Sequence, residues 1–253
     1  MQDFPSSHVT LVTGASLGIG ASTAREFARR GSAVGVHFNS SEREAGEVVA
    51  SIVDAGGVAV PFRADLSDRA QCVRLVDDAV ARFGRIDALV NNAGSLIDRR
   101  HLAQIDEPFW NAVMSLNLAS VLWVTQAAAA GMRARGSGTV VNLGSIAGHN
   151  GGGPGAIPYA TAKAAVTGMT KGLAKELIAD GIRVNAVNPG VILTPFHERF
   201  SSDERMRSMV SQIPQARAGE SSEVASAIVF LASDAASHIV GESIEVNGGM
   251  LMD

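Results

Sequence analysis

Cysteine and tyrosine each occur once in this chain of 253 residues, and aromatic side chains make up only 5% of it. With Cys72 alone no intrachain disulfide can form, which fits a reducing compartment and points to a cytoplasmic protein. Cys72 falls in the helical pattern Gln71-Cys72-Val73-Arg74-Leu75 and reads as a small buried hydrophobe, not a nucleophile. Runs of like charge are equally scarce. The 21 basic and 25 acidic residues are mixed along the chain, for a net charge of -4, which excludes the basic stripes that hold nucleic acid or an anionic membrane. The N-terminal segment lacks a basic region followed by an apolar stretch, so no signal peptide is expected. The most membrane-like stretch, Val121 to Met132, is broken by Thr125 and Gln126 and falls short of the ~20 residues that cross a bilayer. His8, His37, His101 and His238 show no ligand spacing with one another or with Cys72, so no metal site is expected.

What the chain has is 46% hydrophobic against 18% charged residues, a globular balance sufficient for one buried core over 1–253. Short apolar runs alternate with longer helical patterns. Strands are expected at His8–Thr13, Ala33–Phe38, Val58–Arg63, Ala88–Asn91, Thr139–Leu143 and Arg183–Val187, and a last one after Gly241. Helices are expected over Gly18–Arg30, Ser41–Ala55, Ser67–Phe83, a long segment ending near Arg135, and Tyr159–Ala179. Strict alternation of this kind pairs the strands in parallel and covers both faces with helices. The expected fold is therefore α/β, a Rossmann-type doubly wound parallel sheet in three α/β/α layers, with ligands beyond the carboxyl ends of the strands. The glycine- and proline-rich stretch His149–Pro158 reads as a loop, and the region of about 190–215 as a substrate lid.

Thr13-Gly14-Ala15-Ser16-Leu17-Gly18-Ile19-Gly20 joins the first strand to the first helix. Phosphate binding needs a tight turn, no Cβ in the way and free N–H groups at a helix start, and Gly14, Gly18 and Gly20 are spaced to supply them. An acid at the end of the second strand would grip a ribose 2′-hydroxyl. Here that place reads Val36-His37-Phe38-Asn39-Ser40-Ser41, with no acid before Glu42. Asn39 and Ser40 offer neutral hydrogen bonds to a 2′-phosphate and Arg43 a charge, so NADP(H) is favoured and NAD(H) second.

Tyr159-Ala-Thr-Ala-Lys163 places a phenol and an ammonium on one helix face. A phenol titrates near ~10, too high for a base at neutral pH, and a fixed positive charge nearby brings that value down. Upstream, Asn142-Leu-Gly-Ser145 sets a hydroxyl past a strand end, where it can hydrogen-bond an oxygen that gains charge. Asn91-Asn-Ala-Gly94 closes another strand, and Asn117 lies in the helix that follows.

Together with Asp65-Leu66 and Asn188-Pro-Gly190 followed by Thr194, these motifs resemble the single-domain branch of the short-chain dehydrogenase/reductase family along essentially the whole chain. The resemblance implies an NAD(P)-dependent oxidoreductase in which Tyr159 moves the proton and Lys163 tunes it and holds ribose hydroxyls. Ser145 would steady the substrate oxygen and Asn117 anchor a proton-relaying water. It also implies that Ser16, Leu17 and Ile19 join the glycines around the cofactor. Asp65 and Leu66 would lie at the adenine, Asn92, Ala93 and Gly94 along the ribose side, and Pro189, Gly190, Ile192 and Thr194 at the nicotinamide end. His149, Asn150 and His197 are expected to touch a small alcohol or carbonyl substrate, with Phe196 and Phe200 packing the lid. A sugar, sugar acid or polyol is expected first and a 3-oxoacyl thioester second. A cofactor-binding regulator without turnover, or an epimerase or dehydratase, are readings of other classes. Relatives pack the helix that starts near Tyr159 against neighbouring subunits, and its face of Ala160, Ala164, Ala165 and Gly168 permits close approach, so a homotetramer is expected.

Overall fold

The computed structural model describes residues 4–252. Alternating units run β1 (Val9–Val12), α1 (Gly18–Arg29), β2 (Ala33–Phe38), α2 (Glu42–Asp54), β3 (Ala59–Arg63), α3 (Arg69–Phe83) and β4 (Ala88–Asn91). The second half follows with α4 (Glu107–Met114), a π-helical turn (Ser115–Ala119), α5 (Ser120–Arg135), β5 (Gly138–Leu143), the short α6 (Ala147–Asn150), α7 (Ile157–Leu177) and β6 (Ile182–Pro189). Strand β7 (Ile192–Leu193), α8 (Pro195–Phe200), α9 (Asp203–Val210), β8 (Gly219–Glu220), α10 (Ser221–Ala232) and β9 (Ser243–Val246) complete the chain. Strands match the sequence reading to within a residue or two. The lid region of about 190–215, expected without strand, holds β7, α8 and α9, and β7 pairs with β8 just beyond it.

Seven parallel strands lie in the order β3-β2-β1-β4-β5-β6-β9. The order reverses between β1 and β4, which opens a crevice at their carboxyl ends, where such sheets take ligands. One apolar cluster packs α1, α2 and α10 on one face, with Phe27, Val48 and Ile228 at its centre. The other packs α3, α5 and α7 on the opposite face around Leu75, Leu89 and Met132. Cys72 belongs to that second cluster, its thiol pushed up to about 11 mainly by burial, as befits a packing residue.

The helical run from Glu107 to Arg135 is longer than the sequence suggested, because α4 and α5 join through the π turn without a break. By length and composition it could cross a membrane. In the fold Val121, Val124, Ala128 and Met132 are buried and α5 packs on α3, β4 and β5, so it is a core helix. The Thr125 that interrupts the pattern accepts a hydrogen bond from Asn91 Nδ2 at 2.9 Å. Of the α7 residues expected to meet a neighbouring subunit, Ala164 and Gly168 are exposed, Ala165 is half-buried and Ala160 turns inward.

Candidate active site

The turn after β1 is built by side chains from two neighbouring strands. Thr13 Oγ1 accepts from the backbone N–H of Asn92 at 2.9 Å and of Ala93 at 3.0 Å. Asn92 Nδ2 returns two bonds, to the carbonyls of Thr13 (2.8 Å) and Gly14 (2.9 Å). Gly14 and Gly18 take the left-handed φ values of 61° and 53° that only glycine adopts at low cost. A Cβ on Gly20 would strike the Gly14 carbonyl and come within 2.5 Å of Asn92 Nδ2. No side chain caps the N-terminus of α1, so its first N–H groups remain available to a phosphate.

His37 completes this turn, a part the sequence reading missed. Its Nδ1 accepts from Gly14 N at 2.9 Å, and its Nε2 lies 3.0 Å from the Ala64 carbonyl. A carbonyl only accepts, so Nε2 carries the proton and the ring is neutral. Burial holds its pKa down at about 4, with the Ala64 bond acting in the opposite direction. The one sequence signal was an imidazole inside an otherwise apolar strand.

The cleft beyond the strand ends has a volume of about 660 Å³ and is lined by the glycine loop, Ser145, Tyr159 and Lys163, within the usual size of small-molecule sites. Lys163 is buried, and its Nζ donates to the Leu143 carbonyl at 2.7 Å and sits 5.8 Å from the Tyr159 ring centre. Desolvation lowers its pKa to about 8. Tyr159 runs against the sequence expectation. Burial pushes the phenol up to about 12, while the neighbouring Ser145 hydroxyl pulls it down. The ammonium is tied to the Leu143 carbonyl, 5.8 Å from the phenol ring centre.

Asn117 sits in the π turn, a feature often found at functional sites. Its Oδ1 accepts from Ser95 N at 3.0 Å, and its Nδ2 donates to the Ser95 and Val113 carbonyls at 2.8 and 2.9 Å. Thus it bridges the bent helix to the strand β4 exit. Gly94 makes room there, since a Cβ would lie 2.7 Å from Asn117 Oδ1 and 3.3 Å from Lys163 Nζ.

Of the other expected residues, Leu17, Gly18, Ile19, Asn92, Ala93, Gly94, Pro189, Gly190, Ile192 and Thr194 all line the cleft. Ser16, Asn39, Ser40, Asp65 and Leu66 lie outside it, the latter four grouped about the ends of β2 and β3. Asp65 Oδ1 is occupied by Ser67 N (3.0 Å) and Oγ (2.7 Å), and the Leu66 side chain is buried in the core. Arg43 is held by Glu44 and Glu47 at 2.7 and 2.9 Å, so its charge is already matched. Arg63 is instead the cation at that corner, donating to the Asn39 carbonyl at 3.2 Å. Sequence reading passed over it because register alone brings Phe38 beside Arg63.

One of the three substrate expectations, His149, changes. Asn150 lines the cleft and stiffens its loop by accepting from Gly152 N at 2.9 Å. His149 turns away, with Nε2 3.5 Å from Glu245 Oε1 and 3.2 Å from Asn188 Nδ2, and it does not line the cleft. One step of α6 separates the two residues, so they face different sides. His197 falls in α8, and its side chain lies outside the described residues. Phe196 packs between Tyr159 and Phe200, with ring centres 5.8 and 5.1 Å away.

Residues 14–251 match a family model described as enoyl-(acyl carrier protein) reductase. A 3-oxoacyl-[acyl-carrier-protein] reductase of Synechocystis is 42% identical over 247 residues, which cover 97% of this chain and 98% of the relative. The 3-oxoacyl-[acyl-carrier-protein] reductase FabG of Staphylococcus aureus is 40% identical over 242 residues, covering 96% and 97%. The FabG of Thermotoga maritima is 40% identical over 244 residues, covering 96% and 98%. A crystal structure of a dehydrogenase/reductase from Sinorhizobium meliloti superimposes with a TM-score of 0.91 at 29% identity, covering 99% of this chain and 98% of that one.

Proposed function

The chain belongs to the short-chain dehydrogenase/reductase family, and on that premise we propose that it reduces the 3-oxo group of an acyl thioester with NADPH. It is an NAD(P)-dependent oxidoreductase of the alcohol/carbonyl class. Relatives that match it nearly end to end are named 3-oxoacyl-[acyl-carrier-protein] reductases, which favours a 3-oxoacyl thioester over the sugar or polyol expected first. The family model's description names an enoyl reduction. Two hydroxyls, those of Tyr159 and Ser145, side by side at the cleft floor suit an oxygen that must be protonated, and so a carbonyl.

The glycine turn fits a dinucleotide, because a Cβ would fill the cradle at Gly20 and the α1 N-terminus is uncapped. When bound there, the nicotinamide supplies a hydride to the carbonyl carbon. Tyr159 carries its proton at neutral pH, since burial holds the phenol near 12, and it gives that proton to the carbonyl oxygen. The observation that carries the reading is the Tyr159 and Ser145 hydroxyls paired in the same cleft as the glycine turn. Ser145 steadies the oxygen, and Lys163, with its ammonium near 8, stays largely charged and holds ribose hydroxyls. Asn117 anchors the water through which the proton is replaced. Pro189, Gly190, Ile192 and Thr194 hold the nicotinamide end, and Asp65 with the backbone of Leu66 the adenine end. Asn39, Ser40 and Arg63 receive the 2′-phosphate.

Absorbance-monitored oxidation of NADPH and NADH tests the reading against 3-oxoacyl and 2-enoyl thioesters, ketoses and keto acids. The 3-oxoacyl thioester is expected to turn over fastest. Tyr159→Phe is expected to lose roughly 10²–10⁴ of that rate while still binding cofactor. Faster turnover of a sugar or an enoyl thioester, or full activity in Tyr159→Phe, would overturn it.

A further inference from the structure

The loop Gly151–Gly155, flexible in sequence, is wrapped around two arginines. Arg99 donates from Nε to the Phe200 carbonyl at 2.8 Å and from Nη1 to the Pro154 carbonyl at 3.0 Å. Its Cβ lies 3.0 Å from where a Cβ on Gly155 would stand. Arg205, in the first turn of α9, donates from Nη2 to the Gly152 carbonyl at 3.3 Å. A Cβ on Gly153 would come within 2.6 Å of that same nitrogen. Gly153 thus leaves room for the Arg205 guanidinium, and Gly155 for the base of the Arg99 side chain.

Both guanidiniums line the cleft, both are half-buried, and neither has a carboxylate in ion-pair reach among the described residues. Three arginines and Lys163 line the cleft and no Asp or Glu does, in a protein whose net charge is -4. Desolvation, and then the charge of Arg205, lowers the Arg99 pKa, so the two like charges feel one another. Half-buried charges without a counter-ion lose part of their hydration, which their three backbone bonds recover only in part. A guanidinium has five N–H donors, and Arg205 places one of them on the loop. The remaining donors of Arg205 have no protein acceptor among the described residues.

The location separates this pair from the cofactor's phosphates. Arg99 and Arg205 bond α8 and the 151–155 loop, not the glycine turn or the β2–β3 corner. They lie on the side of Tyr159 where Phe196 and Phe200 stack outward. We propose that Arg99 and Arg205 form an anion-binding site at the substrate end of the cleft, which takes a phosphate or carboxylate joined to the carbonyl through an apolar segment. Assigning the anion to the substrate rests on the reductase reading. The segment crosses Phe196 and Phe200, and the anion is either the phosphate of a carrier's thioester arm or the carboxylate of an oxo acid.

Calorimetric titration of the NADP⁺-saturated protein tests this with three probes: 4′-phosphopantetheine, neutral pantetheine, and 7-oxooctanoate, whose methylene chain is long enough to cross Phe196 and Phe200. At least one anionic probe is expected to bind at least tenfold more tightly than pantetheine, and tenfold less tightly at 0.5 M than at 0.05 M salt. Phosphate preference identifies a carrier arm, and carboxylate preference an oxo acid. Arg205→Gln is expected to remove the anion's advantage, and Arg205→Lys to restore part of it, as charge would and loop support would not. Arg99 also props the loop, so Arg99→Gln is read only against its retained affinity for NADP⁺. Anions that bind no better than pantetheine, or an advantage that survives Arg205→Gln, overturn the site. Anion binding that persists while no thioester is reduced keeps the site and removes the reductase reading.

Discussion

At the end of β3, Arg63 is an exposed guanidinium whose Nε reaches the Asn39 carbonyl. No carboxylate stands at the end of β2 to bond a 2′-hydroxyl, and Arg43 nearby is already paired. A charge-assisted contact to phosphate is worth about 1.4 kcal/mol at such an exposed position, or roughly tenfold in affinity. Arg63→Gln should therefore weaken NADPH about tenfold and leave NADH nearly unchanged, measured by fluorescence titration. Equal losses for both cofactors would remove Arg63 from the 2′-phosphate. At this scale the sequence was least informative. Asn39 and Ser40 are visible as neighbours in the chain, whereas Arg63 joins them only through the β2–β3 register.

Among the elements, the turn between β1 and α1 is the one whose sequence and geometry agree most closely. Gly20 lies within α1, where helix propensity alone makes Gly→Ala stabilising by about 1 kcal/mol. Here the added methyl would meet the Gly14 carbonyl and Asn92 Nδ2. Overpacking of that kind costs ~1–3 kcal/mol, so the clash outweighs the propensity. Gly20→Ala should lower unfolding free energy by urea titration and weaken NADPH by more than tenfold. A more stable variant with unchanged affinity would show that the turn tolerates a side chain. The glycine spacing was legible because a backbone requirement leaves a composition signature. The Asn92, Thr13 and His37 bonds that brace the turn were not, because they cross between strands distant in sequence. The π turn at Asn117 was hidden for a similar reason, since the sequence reads as one continuous helix through it.

For the molecule as a whole, the neutral His37 ties stability to pH. Its pKa falls from 6.5 to about 4 on folding, so the unfolded chain binds the extra proton between those values. Stability contributed by the neutral ring is present above pH 6.5 and is lost as pH falls towards 4. Between pH 7 and pH 5 the loss from this one group is about 2 kcal/mol. Urea unfolding at the two pH values should show that loss, and His37→Asn should reduce it even if the variant is less stable at both. An undiminished slope in the variant would place the acid sensitivity elsewhere.

The sequence by itself determined the fold class, the strand and helix succession, and the residue types of the candidate catalytic centre. Those features rest on local periodicity, on backbone demands for glycine, and on the i, i+4 spacing of Tyr159 and Lys163. Tertiary structure alone decided which side chains share a space and how solvated they are. It raised the Tyr159 phenol where spacing to Lys163 suggested lowering it, because burial outweighs the hydrogen bond with Ser145 and the Lys163 ammonium is held on the Leu143 carbonyl. It turned His149 towards Glu245 and kept Asn150 in the cleft. It brought Arg99 and Arg205 together across a loop of glycines, because charge proximity and dielectric depend on distances between segments that the order of residues does not encode.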